Sequence, residues 1–151
     1  MTRASEPRRP RVFVDADVLF AGAASPSQQG ASLVVLRMAE ITLIEALASE
    51  QVIGEVERNL QAKMSRAMPA FRMLVQRCLQ VVPDPTSEAM LEHEGRAHEK
   101  DLPILVAAVR EQCPWLITFN VNDYKPGHPE IVVLRPGDFV QEVRYLLGRM
   151  G

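Results

Sequence analysis

The chain enters its first apolar segment with Val12-Phe13-Val14-Asp15-Ala16-Asp17-Val18-Leu19, a run that two acids interrupt. Three consecutive apolar residues that stop at Asp15 predict a short buried strand. A carboxylate at the end of a buried strand is costly unless it is paired or binds a metal. Asp15 and Asp17 would also repel each other, and a divalent cation would remove that repulsion. Because Asp-x-Asp also occurs in turns and helix caps, this motif alone leaves both interpretations open.

Length and composition predict one soluble domain. The chain has 151 residues, of which 47% are apolar and 24% charged, a balance that suits a single core. Its net charge of -2 argues against tight, nonspecific nucleic-acid binding as the main task, but it does not exclude an acidic metal site. Cys78 and Cys113 are far apart in sequence and indicate buried thiols in a reducing cytoplasm. No apolar run reaches the length of a membrane span.

The first ten residues differ from the rest of the chain. Residues 1–10 include Arg3, Arg8 and Arg9 and lack the apolar stretch of a signal peptide. We expect them to form a flexible tail, with residues 11–151 as the folded domain.

Short apolar runs alternate with helical patterns along the chain. The predicted strands are residues 12–14, 41–46, 115–119 and 131–134. The predicted helices are residues 31–39, a segment that Ser49 caps, and residues 70–79, 87–94, 102–109 and 136–147. This alternation indicates an α/β fold with a mainly parallel sheet. Ligands of such sheets bind beyond the carboxyl ends of the strands, where the strand order switches, and Asp15 and Asn120 both come just after a predicted strand.

Three further positions could contribute to an acidic site. Glu55 lies in the helix that Ser49 caps, at the edge of its apolar face, although a solvated helix charge is the simpler interpretation. Asp101 precedes a deeply apolar helix, where it could cap the helix, bind a cation, or do both. Asn120 and Asp123 follow a strand, in a loop that turn formation alone could explain.

Taken together, these segments resemble the PIN-domain family, which includes the VapC-type ribonuclease toxins. The opening strand is similar to the family's hydrophobic-Asp-x-Asn motif, with Asp17 where Asn is commoner. Residues 49–60 and 100–108 resemble its second and third motifs, which place acids at Glu55 and Asp101. Thr118-Phe119-Asn120 followed by Asp123-Tyr124 resembles a branch that reads Thr-Phe-Asn-x-x-Asp-aromatic, and residues 131–139 resemble that branch's last strand and helix.

The resemblance implies a three-layer α/β/α fold around a central, mainly parallel sheet. It implies a metal-dependent endoribonuclease that cleaves RNA phosphodiester bonds with Mg²⁺ or Mn²⁺. It also implies the toxin of a toxin–antitoxin pair, and therefore an antitoxin protein as partner and a homodimer. The implied catalytic residues are Asp15, Glu55, Asp101 and Asp123, and the implied metal ligands among them are Asp15, Asp101 and Asp123.

Other polar residues near these acids are expected to assist them. Asp17, Thr118 and Asn120 would support the metal ligands through hydrogen bonds. Because Asn120 stands where many family members have Asp, the fourth carboxylate would come from Asp123. Lys100 and Arg58 would contact RNA phosphates, although solvated surface charges explain both equally well.

Two other functions fit parts of the sequence. Asp15-Ala16-Asp17 is similar to the first motif of haloacid-dehalogenase-type phosphatases, in which Asp15 would be the nucleophile and Asp17 the acid/base. That family also needs a late pair of acids after a strand, and the late strands here end in Thr118-Phe119-Asn120 and Leu134-Arg135-Pro136. Alternatively, a PIN-like module with a weakened fourth acid could bind RNA or a protein without cleaving.

Overall fold

The computed structural model describes residues 9–24 and 30–150. Within these ranges one sheet contains five strands, all paired in parallel. They are β1 (Arg11–Val14), β2 (Glu45–Ser49), β3 (Leu79–Val82), β4 (Trp115–Ile117) and β5 (Val132–Leu134). The strands lie in the order β3-β2-β1-β4-β5, so the direction in which the chain adds strands reverses between β1 and β4.

Helices connect the strands on both faces of the sheet. The α-helices of the described residues are α1 (Ala16–Ala24), α2 (Ala31–Glu40), α3 (Glu50–Lys63), α4 (Met68–Cys78), α5 (Ser87–Glu92), α6 (Leu102–Arg110) and α7 (Pro136–Met150). Right-handed crossovers put α1–α4 on one face and α5 and α6 on the other, and α7 packs against α2. The predicted α/β fold with helices on both sides of a parallel sheet is therefore confirmed.

Local sequence explains the elements that position the site. Val12, Phe13 and Val14 are fully buried in the central strand, which accounts for their uninterrupted apolar run. Ser49 caps α3 as predicted, because its hydroxyl accepts a hydrogen bond from the Val52 N–H at 3.4 Å. Helix α6 is buried over most of its length, in keeping with its nearly continuous apolar sequence.

The structure differs from the sequence prediction most in β2, β3 and α1, and β4 ends at Ile117 rather than at residue 119. Strand β2 begins at Glu45 rather than at residue 41, because the chain turns at Thr42, which has a φ of 64°. Strand β3 was not predicted, since it follows α4 without an intervening breaker and has only four residues. Helix α1 was not predicted either, because its sequence is apolar on all sides except at Asp17 and lacks a helical period.

The end of the predicted tail is held against the sheet. Arg9 forms an ion pair with Glu45 at 3.7 Å, and the Pro10 carbonyl accepts a hydrogen bond from the Glu45 N–H. Residues 1–8, which include Arg3 and Arg8, lie outside the described residues. Among the helices that are described, none is both long and apolar enough to cross a membrane.

Candidate active site

A polar cleft of about 160 Å³ opens at the carboxyl ends of β1 and β4, where the strand order reverses. Four different parts of the chain supply its walls: the start of α1, the middle of α3, the turn before α6 and the loop after β4. Its lining residues are Asp15, Asp17, Glu55, His98, Lys100, Asp101, Asn120 and Asp123. The four acids predicted to be catalytic therefore share one cleft, although larger, less polar cavities exist elsewhere on the surface.

Asp15 is the most buried acid of the cleft, with 6% of its surface exposed. Its Oδ2 accepts hydrogen bonds from the Thr118 hydroxyl at 2.8 Å and the Tyr124 hydroxyl at 2.7 Å. Its Oδ1 accepts the Ala16 N–H at 2.7 Å. Because both oxygens are hydrogen bonded, the carboxylate has a fixed orientation at the floor of the cleft. Thr118 thus lies behind the cleft and supports Asp15.

Asp17 is held by the loop after β4. Its Oδ2 accepts hydrogen bonds from the Phe119 N–H at 3.1 Å and the Asn120 side-chain amide at 3.0 Å. Its Oδ1 is buried and has no hydrogen-bond partner among the described residues. Burial, and then the charge of Asp15, raise the pKa of Asp17 from 3.8 to about 6. An unpaired buried carboxylate oxygen with an unfavourable charge is a position at which a cation would be stabilising.

Asp101 does not cap α6. It occupies the N-cap position, where its charge is favourable, yet its side chain makes no capping hydrogen bond, so the expected capping bond is absent. Burial, followed by the charges of Asp15 and Asp123, raises the pKa of Asp101 to about 6. The carboxylate is therefore free to bind a ligand in the cleft.

A backbone hydrogen bond joins the two loops that carry Asp101 and Asp123. The His98 N–H donates to the Asp123 carbonyl at 2.7 Å, and the Asp101 N–H donates to the His98 carbonyl at 2.8 Å. Asp123 lies in a 3-10 helix, Val121–Tyr124, that follows β4. Glu55 reaches the cleft from the opposite side, on α3.

The donor set fits a hard divalent cation. Carboxylate oxygens are the ligands that Mg²⁺ and Mn²⁺ prefer. Burial first, and the charges of neighbouring acids second, raise the pKa values of Asp17 and Asp101, and a bound cation would offset both effects. No three His, Cys, Asp or Glu side chains of the described residues are already arranged as a ligand set. Binding would therefore require side-chain adjustment. The carboxylates of Asp101, Glu55 and Asp123 are free to adjust, because none of these three side chains forms a hydrogen bond or ion pair within the described residues.

Basic residues flank the acids unevenly. Lys100 and His98 line the cleft, whereas Arg58 is exposed on α3 and does not belong to its lining. Lys63, one turn beyond Asn59 on α3, lines an adjoining cavity instead. Phosphate contact by Lys100 is consistent with this placement, and the structure gives Arg58 no comparable position.

Two residues near the acids were not among the sequence-based candidates. Tyr124 supports Asp15 directly, and the only sign of it was the aromatic residue that ends the Thr-Phe-Asn-x-x-Asp-aromatic motif. Phe20 lines the adjoining cavity next to Asp17. Asp17 and Phe20 are three residues apart and therefore lie on one side of α1. The sequence did not indicate a role for Phe20 at the site, because it is one apolar residue among many in an apolar helix.

A comparison with protein families identifies the family of this chain. The model of the PIN domain family matches residues 11–122, which include every acid of the cleft except Asp123. The chain belongs to the PIN domain family. No curated protein matches the chain.

Two solved structures share the PIN fold of this chain. VapBC2 from Rickettsia felis, bound to a DNA fragment from its promoter, has 15% sequence identity and a TM-score of 0.62, and the match covers 82% of this chain and 96% of that chain. VapC20 of Mycobacterium tuberculosis, a toxin that cleaves the sarcin–ricin loop, has 17% identity and a TM-score of 0.57, with 80% and 98% covered. At these identities the likeness establishes the fold alone.

Proposed function

We propose that this PIN domain is a metal-dependent endoribonuclease. The observation that carries the proposal is the meeting of Asp15, Glu55, Asp101 and Asp123 in one cleft at the switch in strand order. The four acids come from four separate parts of the chain, so local turn or cap formation does not explain their convergence. Membership of the PIN family and the fold shared with a ribosomal-RNA-cleaving toxin support the proposal.

Burial and hydrogen bonding suggest a different role for each acid. Asp15 and Asp101 would hold one Mg²⁺ or Mn²⁺, because Asp15 is fixed at the floor and Asp101 is free beside it. Asp123, with Asn120, would support a second ion or the leaving group. When bound, such an ion lowers the pKa of a water molecule and neutralises charge on the phosphate.

The remaining residues of the cleft would act on the substrate and the attacking water. Glu55, whose carboxylate makes no hydrogen bond within the described residues, would orient that water and accept its proton. Lys100 would bind a nonbridging phosphate oxygen at the rim. Thr118 and Tyr124 would keep Asp15 in its orientation through the cycle.

The phosphatase alternative fits the site less well. A nucleophilic Asp15 would need a lone pair directed at the substrate, but both its oxygens already accept hydrogen bonds. Hydrogen bonds to a carboxylate are, by contrast, usual when it binds a metal ion at the edge of a cleft. Asp17, which would be the acid/base, is instead bonded to the loop after β4. The absence of phosphorylation of Asp15 in a phosphomonoester assay would agree with this conclusion.

We further propose that the chain is the toxin of a toxin–antitoxin pair. The two solved structures described above are VapBC2 and VapC20, and the second of them is a toxin. An antitoxin segment that covers the acidic cleft would exclude RNA from it, and the chain would act as a homodimer. Growth arrest on expression in bacteria, relieved by Asp15→Asn, would support a toxin; undisturbed growth with active protein would point to another nuclease role.

The first prediction concerns the metal ligands. Asp15→Asn and Asp101→Asn should each lower the rate of RNA cleavage in Mg²⁺ or Mn²⁺ about 100-fold or more, because even residues that only support metal ligands contribute 10- to 100-fold. A fluorescent oligoribonucleotide cleavage assay measures the rate, and calorimetric titration with Mn²⁺ measures the loss of metal binding.

Asp138→Asn is the matched control, because Asp138 is an exposed acid on α7. It should retain the wild-type rate, and all three variants should keep the wild-type circular dichroism spectrum. Full activity in both cleft variants would contradict the assignment, and RNA binding by the wild type without any cleavage would indicate a non-catalytic module instead.

A further inference from the structure

A second cavity of about 170 Å³ adjoins the acidic cleft on the α1–α3 side. It is lined by Asp17, Phe20, Glu55, Asn59 and Lys63. Asp17 and Glu55 line the acidic cleft as well, so the two cavities share a wall. A chain molecule whose phosphate lies in the cleft therefore has a direct route for its next unit into this second cavity.

Helical spacing explains how the cavity is built. Asp17 and Phe20 are three residues apart on α1, and Glu55, Asn59 and Lys63 follow one another at intervals of four on α3. Residues at these spacings share one face of a helix. Because α1 packs against α3, the two faces meet and place an aromatic ring, an amide and an ammonium group around one space.

The Lys63 ammonium group lies over the ring of Phe20, which packs at the edge of the core. Phe20 is half-buried, and the Lys63 Nζ lies 5.8 Å from its ring centroid. Lys63 is exposed and sits on a flexible four-carbon stem, so a ligand can displace it at low cost. A displaced ammonium group would remain close enough to bind a phosphate of the same ligand.

The cavity's chemistry matches one nucleotide of RNA. An aromatic face stacks any base, an amide can hydrogen-bond a base edge or a ribose hydroxyl, and an ammonium group binds phosphate. Resting on the proposed nuclease function, we propose that this cavity holds the unpaired nucleotide next to the scissile phosphate, with its base on Phe20 and its outer phosphate at Lys63. The strand would leave the cleft on the other side, past Lys100 and His98.

The proposal restricts the class of substrate. A base can stack on a protein ring only after it leaves the stack of a duplex, and the exposed edges of A-form helices do not offer a free base face. The substrate is therefore single-stranded or looped at this nucleotide. The same oligoribonucleotide annealed to its complement should be cleaved more slowly.

The experiment compares Phe20→Leu, which keeps an apolar side chain, with Phe20→Tyr, which keeps the ring. The probe is a fluorescein-labelled single-stranded RNA of 12 mixed nucleotides, together with a version that has abasic ribose on both sides of each cleavage point. We expect Phe20→Leu to lower kcat/KM in Mn²⁺ about tenfold and to abolish the preference for intact over abasic RNA. Phe20→Tyr should restore both, and Lys63→Gln should weaken RNA binding and reduce its salt dependence.

The chain contains a matched control pair. Tyr145 and Arg149 on α7 form the same kind of contact, with the Arg149 guanidinium carbon 5.7 Å from the Tyr145 ring centroid, and neither lines either cavity. Tyr145→Leu and Arg149→Gln should leave RNA binding and cleavage unchanged. Abasic substitution tests the wild-type protein itself, so the result does not depend on whether a variant folds.

The outcomes separate this inference from the nuclease function. If the wild type cleaves intact and abasic RNA equally well and Phe20→Leu matches it, the nucleotide site is wrong while the nuclease function holds. If the wild type binds the RNA, measured by fluorescence anisotropy in Ca²⁺, but never cleaves it, a loss of binding in Phe20→Leu still supports the site. Equal binding by Phe20→Leu in that case overturns it.

Discussion

Asp15 depends on side chains that are remote from it in sequence. Tyr124 is buried, and burial together with the charge of Asp15 keeps its pKa far above the ordinary value, so the phenol stays protonated and donates its hydrogen bond. The Thr118 hydroxyl has a single proton to donate, and it donates this proton to Asp15 in the 2.8 Å hydrogen bond. The same hydroxyl oxygen accepts a hydrogen bond from the Asn120 N–H at 3.1 Å. The orientation of the central carboxylate is thus set by two hydroxyl groups.

Removal of one of these hydroxyls should be measurable as a loss of stability. Tyr124→Phe keeps the ring but leaves Asp15 with one donor fewer in a buried position. We expect the free energy of unfolding in urea to fall by about 1.5–3 kcal/mol, as for other hydrogen bonds to charged groups. Tyr145→Phe, which removes an exposed hydroxyl from α7, should change it little, and equal stability of both variants would show that the Tyr124 hydrogen bond contributes nothing.

At the scale of elements, the loop after β4 is fastened to the segment before α6. The Gly127 N–H donates to the Arg96 carbonyl at 2.7 Å, and the Arg96 side chain donates to the Gly127 carbonyl at 3.1 Å. Together with the bond between His98 and Asp123, these contacts hold the 3-10 helix that carries Asp123 and Tyr124. Asp101 and Asp123, which lie on separate elements, are thereby held at the same cleft.

Gly127 is the position of this loop least able to accept a side chain. It has a φ of 80°, and a Cβ there would come within 2.9 Å of the Tyr124 carbonyl oxygen. Gly127→Ala should therefore both destabilise the protein and slow RNA cleavage, since the loop must shift. Gly95→Ala is the control, because Gly95 has a similar φ of 85° but open space around it.

Urea unfolding and the oligoribonucleotide assay distinguish the two glycine variants. Gly95→Ala should lose about 1 kcal/mol from backbone strain alone and keep the wild-type rate. Gly127→Ala should lose more and cleave more slowly. An unchanged cleavage rate in Gly127→Ala would mean that the loop's position does not matter for catalysis.

The sequence alone predicted those elements whose residue pattern lies entirely within the element itself. The apolar run of β1, the Ser49 cap of α3 and the apolar length of α6 each follow from adjacent residues, and the order of the acids indicated a shared site. Contacts such as Tyr124 with Asp15 or Lys63 with Phe20 depend on which strands and helices become neighbours. No local pattern carries that information, so these partners became visible only in the folded chain.

At the scale of the whole molecule, the small net charge hides a strong local excess of acid. The net charge is -2, yet one cleft collects several carboxylates, and the pKa values of Asp17 and Asp101 are both raised to about 6. In the folded, metal-free protein these groups hold protons that the unfolded chain releases near pH 4. The free energy of unfolding of the folded state therefore falls progressively as pH rises from about 4 to about 6, and the loss is complete above that range.

This linkage predicts how the metal-free protein responds to pH. In EDTA, the wild-type melting temperature should fall between about pH 4 and pH 7 more steeply than that of Asp17→Asn, which removes one of the repelling charges. Mn²⁺ at neutral pH should restore the melting temperature that the wild type loses, because the ion neutralises the negative charge of the acidic cleft. The melting temperature of Asp138→Asn should depend on pH as that of the wild type does. Identical pH profiles for the wild type and both variants, without any effect of Mn²⁺, would contradict the destabilising charge of the acidic cleft.

The hydrogen bonds to Asp15 have a consequence for the protein's synthesis. Its two hydroxyl donors, Thr118 and Tyr124, lie 103 and 109 residues further along the chain. A nascent polypeptide still short of β4 has neither donor and no neighbour for β1 on that side of the sheet. The ribosome must therefore translate most of the message before the acidic cleft can be assembled, and a product of premature termination would lack the cleft.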